Sequence, residues 1–118
     1  MKINVDQVFE DMKREETLVL NILPKVEFNK LHIKGSQSHP LKDDPETFSK
    51  EVEEKFGKEK HFIVHGERFG LLDSYLAAKS MEDRGLKVRN YSGGMREWFK
   101  KGLPVGGTQV EPVVEAAQ

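Results

Sequence analysis

The chain has 118 residues, which is the size of one domain with its own hydrophobic core. It carries 19 basic and 20 acidic residues, for a net charge of −1, and the two signs are interspersed. This balance argues against a protein dedicated to nucleic acids or to a membrane surface. The sequence contains no cysteine, which excludes disulfides, thiolate metal sites and thiol catalysis.

The chain also lacks the signals of membrane insertion or export. No apolar run approaches the roughly 20 residues that cross a bilayer. The first residues lack the apolar segment of a signal peptide. We therefore expect a cytoplasmic protein with no membrane partner.

The first predicted elements are a helix, a strand and a helical turn. Asn4 begins a capping-box pattern, and apolar residues at helical spacing predict a helix over 5–14. The apolar run 17–23 is rich in β-formers and too short for an ordinary helix, which predicts a buried parallel strand. Pro24 then begins a short helical turn, and 32–38 is a turn leading into a short extended segment.

The next helix has clear signals at both ends. Asp44 is an acidic N-cap residue, Pro45 follows at the first helical position, and Gly57 is suited to the C-terminal stop. Large apolar residues recur at helical spacing between these signals. The pattern predicts an amphipathic helix over 45–56.

The second half of the chain continues the alternation of strands and helices. An apolar strand over 61–65 enters a glycine-containing loop, and a helix over 74–84 leaves it. A strand over 86–91, a Ser-Gly-Gly turn and a last helix over 95–101 follow. The core candidates on these two helices are Leu76, Ala77, Met81, Trp98 and Phe99.

This alternation predicts the α/β class, with a mostly parallel sheet that is covered by helices on both faces. We expect one domain over residues 1–105 and a flexible tail over 106–118, where no periodicity remains. Sheets of this kind bind ligands beyond the carboxyl ends of their strands. The loop that follows His65 lies at such an end.

This loop is the candidate site. Unpaired amides at a helix start favour anions, and glycines let the backbone curve around one. The apolar residues of the loop instead favour a surface for a protein partner. A third interpretation is a loop whose glycines only satisfy backbone geometry. The candidate residues are His65, Gly66, Glu67, Arg68, Phe69, Gly70, Leu71, Leu72, Asp73 and Ser74.

The remaining polar motifs do not predict catalysis or a metal site. Asp73 or Ser74 is better suited to capping the next helix than to acting as a nucleophile. His61 and His65 would share one face of a strand, but about 13 Å apart, which is too far for one metal ion. We assign no catalytic residue, no metal and no cofactor.

Five segments, in the right order and spacing, resemble motifs of the rhodanese-like domain. The resemblance extends from residue 3 to residue 105 and implies a three-layer α/β/α fold around a mostly parallel, five-stranded sheet. The segments are the strand 18–23, the pair 27–28 with the His-Ile-Lys-Gly-Ser stretch 32–36, the strand 62–66, the stretch 88–98 with its Gly-Gly and Trp, and the Gly-Leu-Pro-Val ending 102–105.

The same resemblance identifies a missing residue. The sulfurtransferases of this family carry sulfane sulfur as a persulfide on a cysteine, and Gly66 occupies that position here. The phosphatase-like members also use a cysteine. Asn21 and Leu23 stand where the family's first long strand ends in Asp and Arg, so these companion positions differ as well.

The resemblance therefore implies a catalytically inactive domain, which is a binding or regulatory module rather than an enzyme. Its ligand would be a small anion or a protein partner at the loop 66–74. The alternative is a thiosulfate sulfurtransferase-like enzyme that acts through an unrecognised site.

Overall fold

Helices and strands alternate along the chain in the computed structural model, which describes residues 2–42 and 44–108. The helices are α1 (Val5–Asp11), α2 (Lys25–Lys30), α3 (Pro45–Phe56), α4 (Asp73–Asp83) and α5 (Gly94–Lys100). The strands are β1 (Thr17–Asn21), β2 (His32–Ile33), β3 (Gln37–Ser38), β4 (His61–His65), β5 (Lys87–Tyr91) and β6 (Val105–Gly106).

The central sheet has four parallel strands in the order β3-β1-β4-β5. Lys2 forms a parallel bridge with Asn90, so the fifth position at this edge holds a bridge and not a full strand. β2 and β6 pair antiparallel with each other, apart from this sheet. The predicted α/β class and parallel sheet are confirmed, with four strands in place of five.

Both faces of the sheet are covered, because the strands are apolar on both sides. One face packs against α3 and α4, whose buried apolar residues here are Phe48, Val52, Ala77, Ala78 and Met81. The other face packs against α1 and α5, which contribute Val5, Val8, Met95 and Trp98. The result is the three-layer arrangement that strand–helix alternation predicts.

The first and third helices are capped as the sequence predicts. The Asn4 side chain accepts a hydrogen bond from the amide of Gln7 at 2.9 Å, and the Asp44 side chain accepts one from the amide of Glu46 at 3.1 Å. Gly57 follows α3 with φ +79°, as expected for a glycine stop. α1 ends at Asp11 rather than at the predicted residue 14.

The start of α4 differs from the prediction. Leu72 precedes the helix and no side chain caps it, so the prediction that Asp73 or Ser74 is the N-cap is wrong. Asp73 lies in the first helical turn, where its charge is favourable to the helix dipole. Two predicted core residues are also exposed, Leu76 by 43% and Phe99 by 44%.

The end of the described chain is held by hydrogen bonds. Gly106 pairs with His32 across the β2–β6 ladder, and the amide of Thr108 donates to the carbonyl of Asn29 at 3.1 Å. Residues 109–118 of the predicted tail lie outside the described residues, so the tail stays a prediction. No helix within 2–42 and 44–108 is long and apolar enough to cross a membrane.

The loop after β4 is joined to the start of α5. The amide of Met95 donates to the carbonyl of Gly66 at 3.0 Å, and the amide of Arg96 donates to the carbonyl of Glu67 at 2.8 Å. Gly94 has φ +67°, and a Cβ there would lie 2.7 Å from the Gly66 oxygen. Only glycine fits this close approach.

We expect Gly94→Ala to lower the free energy of unfolding more than Gly102→Ala does. Both glycines have left-handed backbone, with φ +67° and +70°, but a Cβ at Gly102 meets nothing within 4 Å. Backbone strain costs each variant about 1–2 kcal/mol. Crowding against the loop adds about 1–3 kcal/mol at Gly94 only. Urea unfolding followed by far-UV circular dichroism measures the free energy of unfolding of both variants. Equal decreases in the two variants would contradict the close approach at Gly94.

Candidate functional site

A row of polar or aromatic side chains crosses the carboxyl end of the sheet. Ser38, Asn21, His65 and Tyr91 are aligned neighbours in the register of β3, β1, β4 and β5. The candidate loop begins directly after this row, at Gly66. Parallel sheets place their ligand sites at this end, so the loop lies where the sequence predicts a site.

Asn21 fixes the chain where it leaves β1. Its side chain is fully buried, and its Oδ1 accepts a hydrogen bond from the amide of Leu23 at 2.9 Å. An asparagine keeps the acceptor oxygen of an aspartate but carries no charge. Its Nδ2, like the Oγ of Ser38, is buried with no partner among the described residues. Asn21 therefore holds the chain after β1 without a negative charge.

His65 is a buried neutral imidazole. Its Nδ1 lies 2.9 Å from the carbonyl oxygen of Gly66, so Nδ1 carries the proton that is donated. Nε2 is buried without a partner in the described part of the chain. Burial lowers the pKa of His65 to about 4, against the smaller opposing effect of the hydrogen bond to Gly66. No acid among residues 2–42 and 44–108 bonds to this ring, so these residues form no triad of the Ser-His-Asp kind.

Tyr91 closes the row on the β5 side. Its hydroxyl donates to Oε1 of Glu97 at 2.9 Å, and its ring lies 6.3 Å from that of Trp98 in an edge-to-face arrangement. Burial, followed by the hydrogen bond to Glu97, raises the pKa of Tyr91 well above its usual value. A Cβ at Gly93 would overlap the Glu97 carboxylate, so a larger residue there would displace this side chain.

Position 66 still has room for a side chain. A Cβ on Gly66 would meet only the side chain of Ile22, at 3.9 Å, which is an ordinary contact. Gly66 is not among the glycines with positive φ, so its backbone does not require glycine. The residue that the resemblance identifies as missing could therefore be accommodated sterically.

The loop and the first turn of α4 expose a group of large apolar side chains, which we call the loop surface. Its members are Phe69, Leu71, Leu72, Tyr75 and Leu76. Phe69 is 58% exposed and Leu72 is 68% exposed. Within the described part of the chain, the backbone amides of residues 67–75 donate no hydrogen bond. The loop therefore offers apolar side chains and free amides together.

The sequence analysis missed the basic side chains that stand beside the loop. Arg96 and Lys100, which are one helical turn apart on α5, line a cavity together with Arg68 of the loop. Their spacing on a predicted helix was visible, but the packing of that helix against the loop was not. Ser74 is buried and does not join the exposed part of the candidate site.

Comparisons with known proteins place this geometry in a family. A family model described as a rhodanese-like domain matches residues 4–101. The BH2092 protein from Bacillus halodurans is similar in structure, with a TM-score of 0.78 and 19% identity over 99% of this chain and 89% of that one. The rhodanese-like domain of Alr3790 from Anabaena sp. has a TM-score of 0.78 and 17% identity over 94% of this chain and 82% of that one.

A larger neighbour contains a sulfur-carrying cysteine. It is EanB with a Tyr-to-Ala substitution, in complex with ergothioneine covalently linked to a persulfide cysteine. Its TM-score is 0.72 at 16% identity, over 91% of this chain and 28% of that one. At these identities the structural likeness establishes the fold alone. No curated protein matches the chain.

We expect His65 to make the fold sensitive to mild acid. Its pKa falls from 6.5 to about 4 on folding, so the unfolded chain binds a proton first as the pH drops. Above pH 6.5 the free energy of unfolding is not reduced by protonation of His65. As the pH falls from 6.5 towards 4 the free energy of unfolding decreases, by about 3 kcal/mol in all.

Urea unfolding between pH 7 and pH 4.5 measures this effect. In His65→Gln the free energy of unfolding should change less with pH than in the unsubstituted chain. His61→Gln, at an exposed position of the same strand, should show the same change with pH as the unsubstituted chain. The pKa of His39 is also lowered by burial, but His39 affects the pH dependence of unfolding equally in both variants. An unchanged slope in His65→Gln would refute the assignment.

Proposed function

The chain belongs to the rhodanese-like domain family, and from this membership we propose that it is a non-catalytic binding module whose loop 66–74 contacts a protein partner. The observation that carries the proposal is the exposed loop surface, with Phe69 exposed by 58% and Leu72 by 68%. It occupies the place where the family's sulfurtransferases hold their cysteine. The proposal includes the cytoplasmic location expected from the sequence.

The chain has no residue for the family's sulfur chemistry. A persulfide forms when a thiolate attacks sulfane sulfur, and the whole sequence contains no cysteine. The persulfide of EanB is formed on a cysteine, the residue type that is absent here. Removal of a covalent nucleophile typically costs several orders of magnitude in rate. A sulfurtransferase acting through another site is the alternative that an assay must exclude.

Exposed apolar clusters of this kind are typical of interaction surfaces. Isolated apolar side chains are common on protein surfaces, but contiguous ones mark sites of association. The members of the loop surface are close in sequence, since Phe69, Leu71 and Leu72 precede Tyr75 and Leu76 in the first turn of α4. A binding role explains why these side chains remain outside the core.

A small anion is the second candidate ligand of the same loop. The amides of residues 67–75 donate no hydrogen bond to another described residue, and Arg68 stands among them. Such amides can bind an anion by donating hydrogen bonds to it, if their N–H groups converge on one point. Sulfate is therefore included in the binding experiment below.

We expect no sulfurtransferase turnover by this chain. Incubation with thiosulfate and cyanide should give no thiocyanate above the buffer control. Gly66→Cys should fold normally, because the nearest side chain to its Cβ is at 3.9 Å, and should gain the mass of one sulfur atom on treatment with thiosulfate as sulfite leaves. Gly66→Ser is the matched control without sulfur. Thiocyanate formation by the unsubstituted chain would overturn the non-catalytic assignment.

We expect peptides selected from a random phage-displayed library to bind the loop surface. The double variant Phe69→Ser/Leu72→Ser should weaken their binding by about tenfold or more, since apolar anchors carry most of an interface's affinity. It should remain folded, because both side chains are mainly exposed. Val26→Ser, on α2 and also 58% exposed, is the matched control.

The outcomes of this selection separate the candidate ligands. Peptides that bind equally well to the double variant would contradict a partner site on the loop. If no peptide is selected and sulfate shifts the amide resonances of residues 66–74, the ligand is a small anion instead.

A further inference from the structure

A cavity of about 410 Å³ lies between the loop and α5. We call it the cationic cavity. Phe69 and Glu97 line it together with four basic side chains, which are Arg68, Arg96, Lys100 and Lys101. Phe69 also belongs to the loop surface, so the cavity and the apolar surface are continuous.

Basic side chains outnumber acidic ones in the lining of this cavity by four to one. Within the described ranges, none of the four basic side chains forms a salt bridge. Glu97 is the only carboxylate that lines the cavity, and its Oε1 already accepts the hydroxyl proton of Tyr91 at 2.9 Å. Elsewhere on the surface, lysines such as Lys42 and Lys79 do pair with nearby acids.

The fold itself brings these charges together. Arg96 and Lys100 lie one turn apart on α5, a spacing at which like charges destabilise a helix. Arg68 reaches the same place because the carbonyls of Gly66 and Glu67 bind the first turn of α5. A local excess of positive charge in a chain of net charge −1 creates a field that attracts acidic groups.

We propose that the cationic cavity binds the carboxylates of an acidic segment of the partner protein, while the loop surface binds the apolar side chains beside them. The proposal rests on the proposed function and deepens it. Guanidinium groups such as those of Arg68 and Arg96 bind carboxylates through paired hydrogen bonds. Phe69 lines the cavity and belongs to the loop surface, which suits a peptide that carries apolar residues beside its acidic ones.

A nucleic acid fits this surface less well. The chain has one more acidic than basic residue, and its charges are interspersed rather than gathered into an extended basic face. Glu67 lies on the loop beside the cavity, and Asp73 follows at the start of α4. The positive surface is therefore short, which suits the few carboxylates of a peptide segment better than an extended phosphate backbone.

The test reverses two charges and leaves the loop surface intact. The selected peptides should be enriched in Asp and Glu next to large apolar residues. Arg96→Glu/Lys100→Glu should weaken their binding by about tenfold or more and reduce its salt dependence. The control Lys25→Glu/Lys50→Glu changes net charge equally at two exposed positions outside the cavity and should bind as the unsubstituted chain does.

The possible results distinguish this inference from the proposed function. The selected peptides could require Phe69 and Leu72 but show no enrichment in acidic residues and no loss of binding on charge reversal. This result would overturn the inference and leave the proposed binding module intact. Peptide binding could instead be weakened by the charge reversal but not by substitution of Phe69 and Leu72. This result would contradict a binding site on the loop surface and support one in the cationic cavity. Displacement by a single-stranded oligonucleotide at lower concentration than free peptide would assign the cavity to nucleic acid. A dimer in sedimentation that the reversal dissociates would assign it to a second copy of the chain.

Discussion

Two backbone hydrogen bonds determine the geometry of this end of the domain. They run from the first turn of α5 to the carbonyls of Gly66 and Glu67, and they exist because Gly94 has no Cβ to separate the two segments. Helix amides that would otherwise be free are satisfied by the loop. The direction of the loop, the place of Arg68 and the exposure of Phe69 all follow from this attachment.

The carboxyl end of the sheet combines an open position with buried, uncharged polar side chains. Position 66 has space for a side chain and an ordinary backbone conformation, yet it holds glycine. Asn21 accepts a hydrogen bond through its amide oxygen, and His65 stays neutral because it is buried. This buried polar row leads into a loop whose exposed side chains are apolar and beside which basic side chains gather.

Local signals in the sequence predicted local structure well, and packing decided the rest. Asn4 and Asp44 were predicted as caps because capping depends on neighbouring residues, and the structure confirms both. Leu76 and Phe99 were placed in the core from helical spacing, but in the packed helices both are more than two-fifths exposed. The cationic cavity was missed because its loop and helix are far apart in the chain, and no sequence pattern shows their contact.

Trp98 gives the domain a built-in optical reporter. It is the single tryptophan of the chain, is 1% exposed, and donates its indole hydrogen to the Pro104 carbonyl at 2.9 Å. It lies on α5, one turn after the residues that bind the loop, and its ring packs 6.3 Å from that of Tyr91. Its emission therefore senses the same helix that aligns the loop, so movement of this region can be followed in solution without attaching a dye.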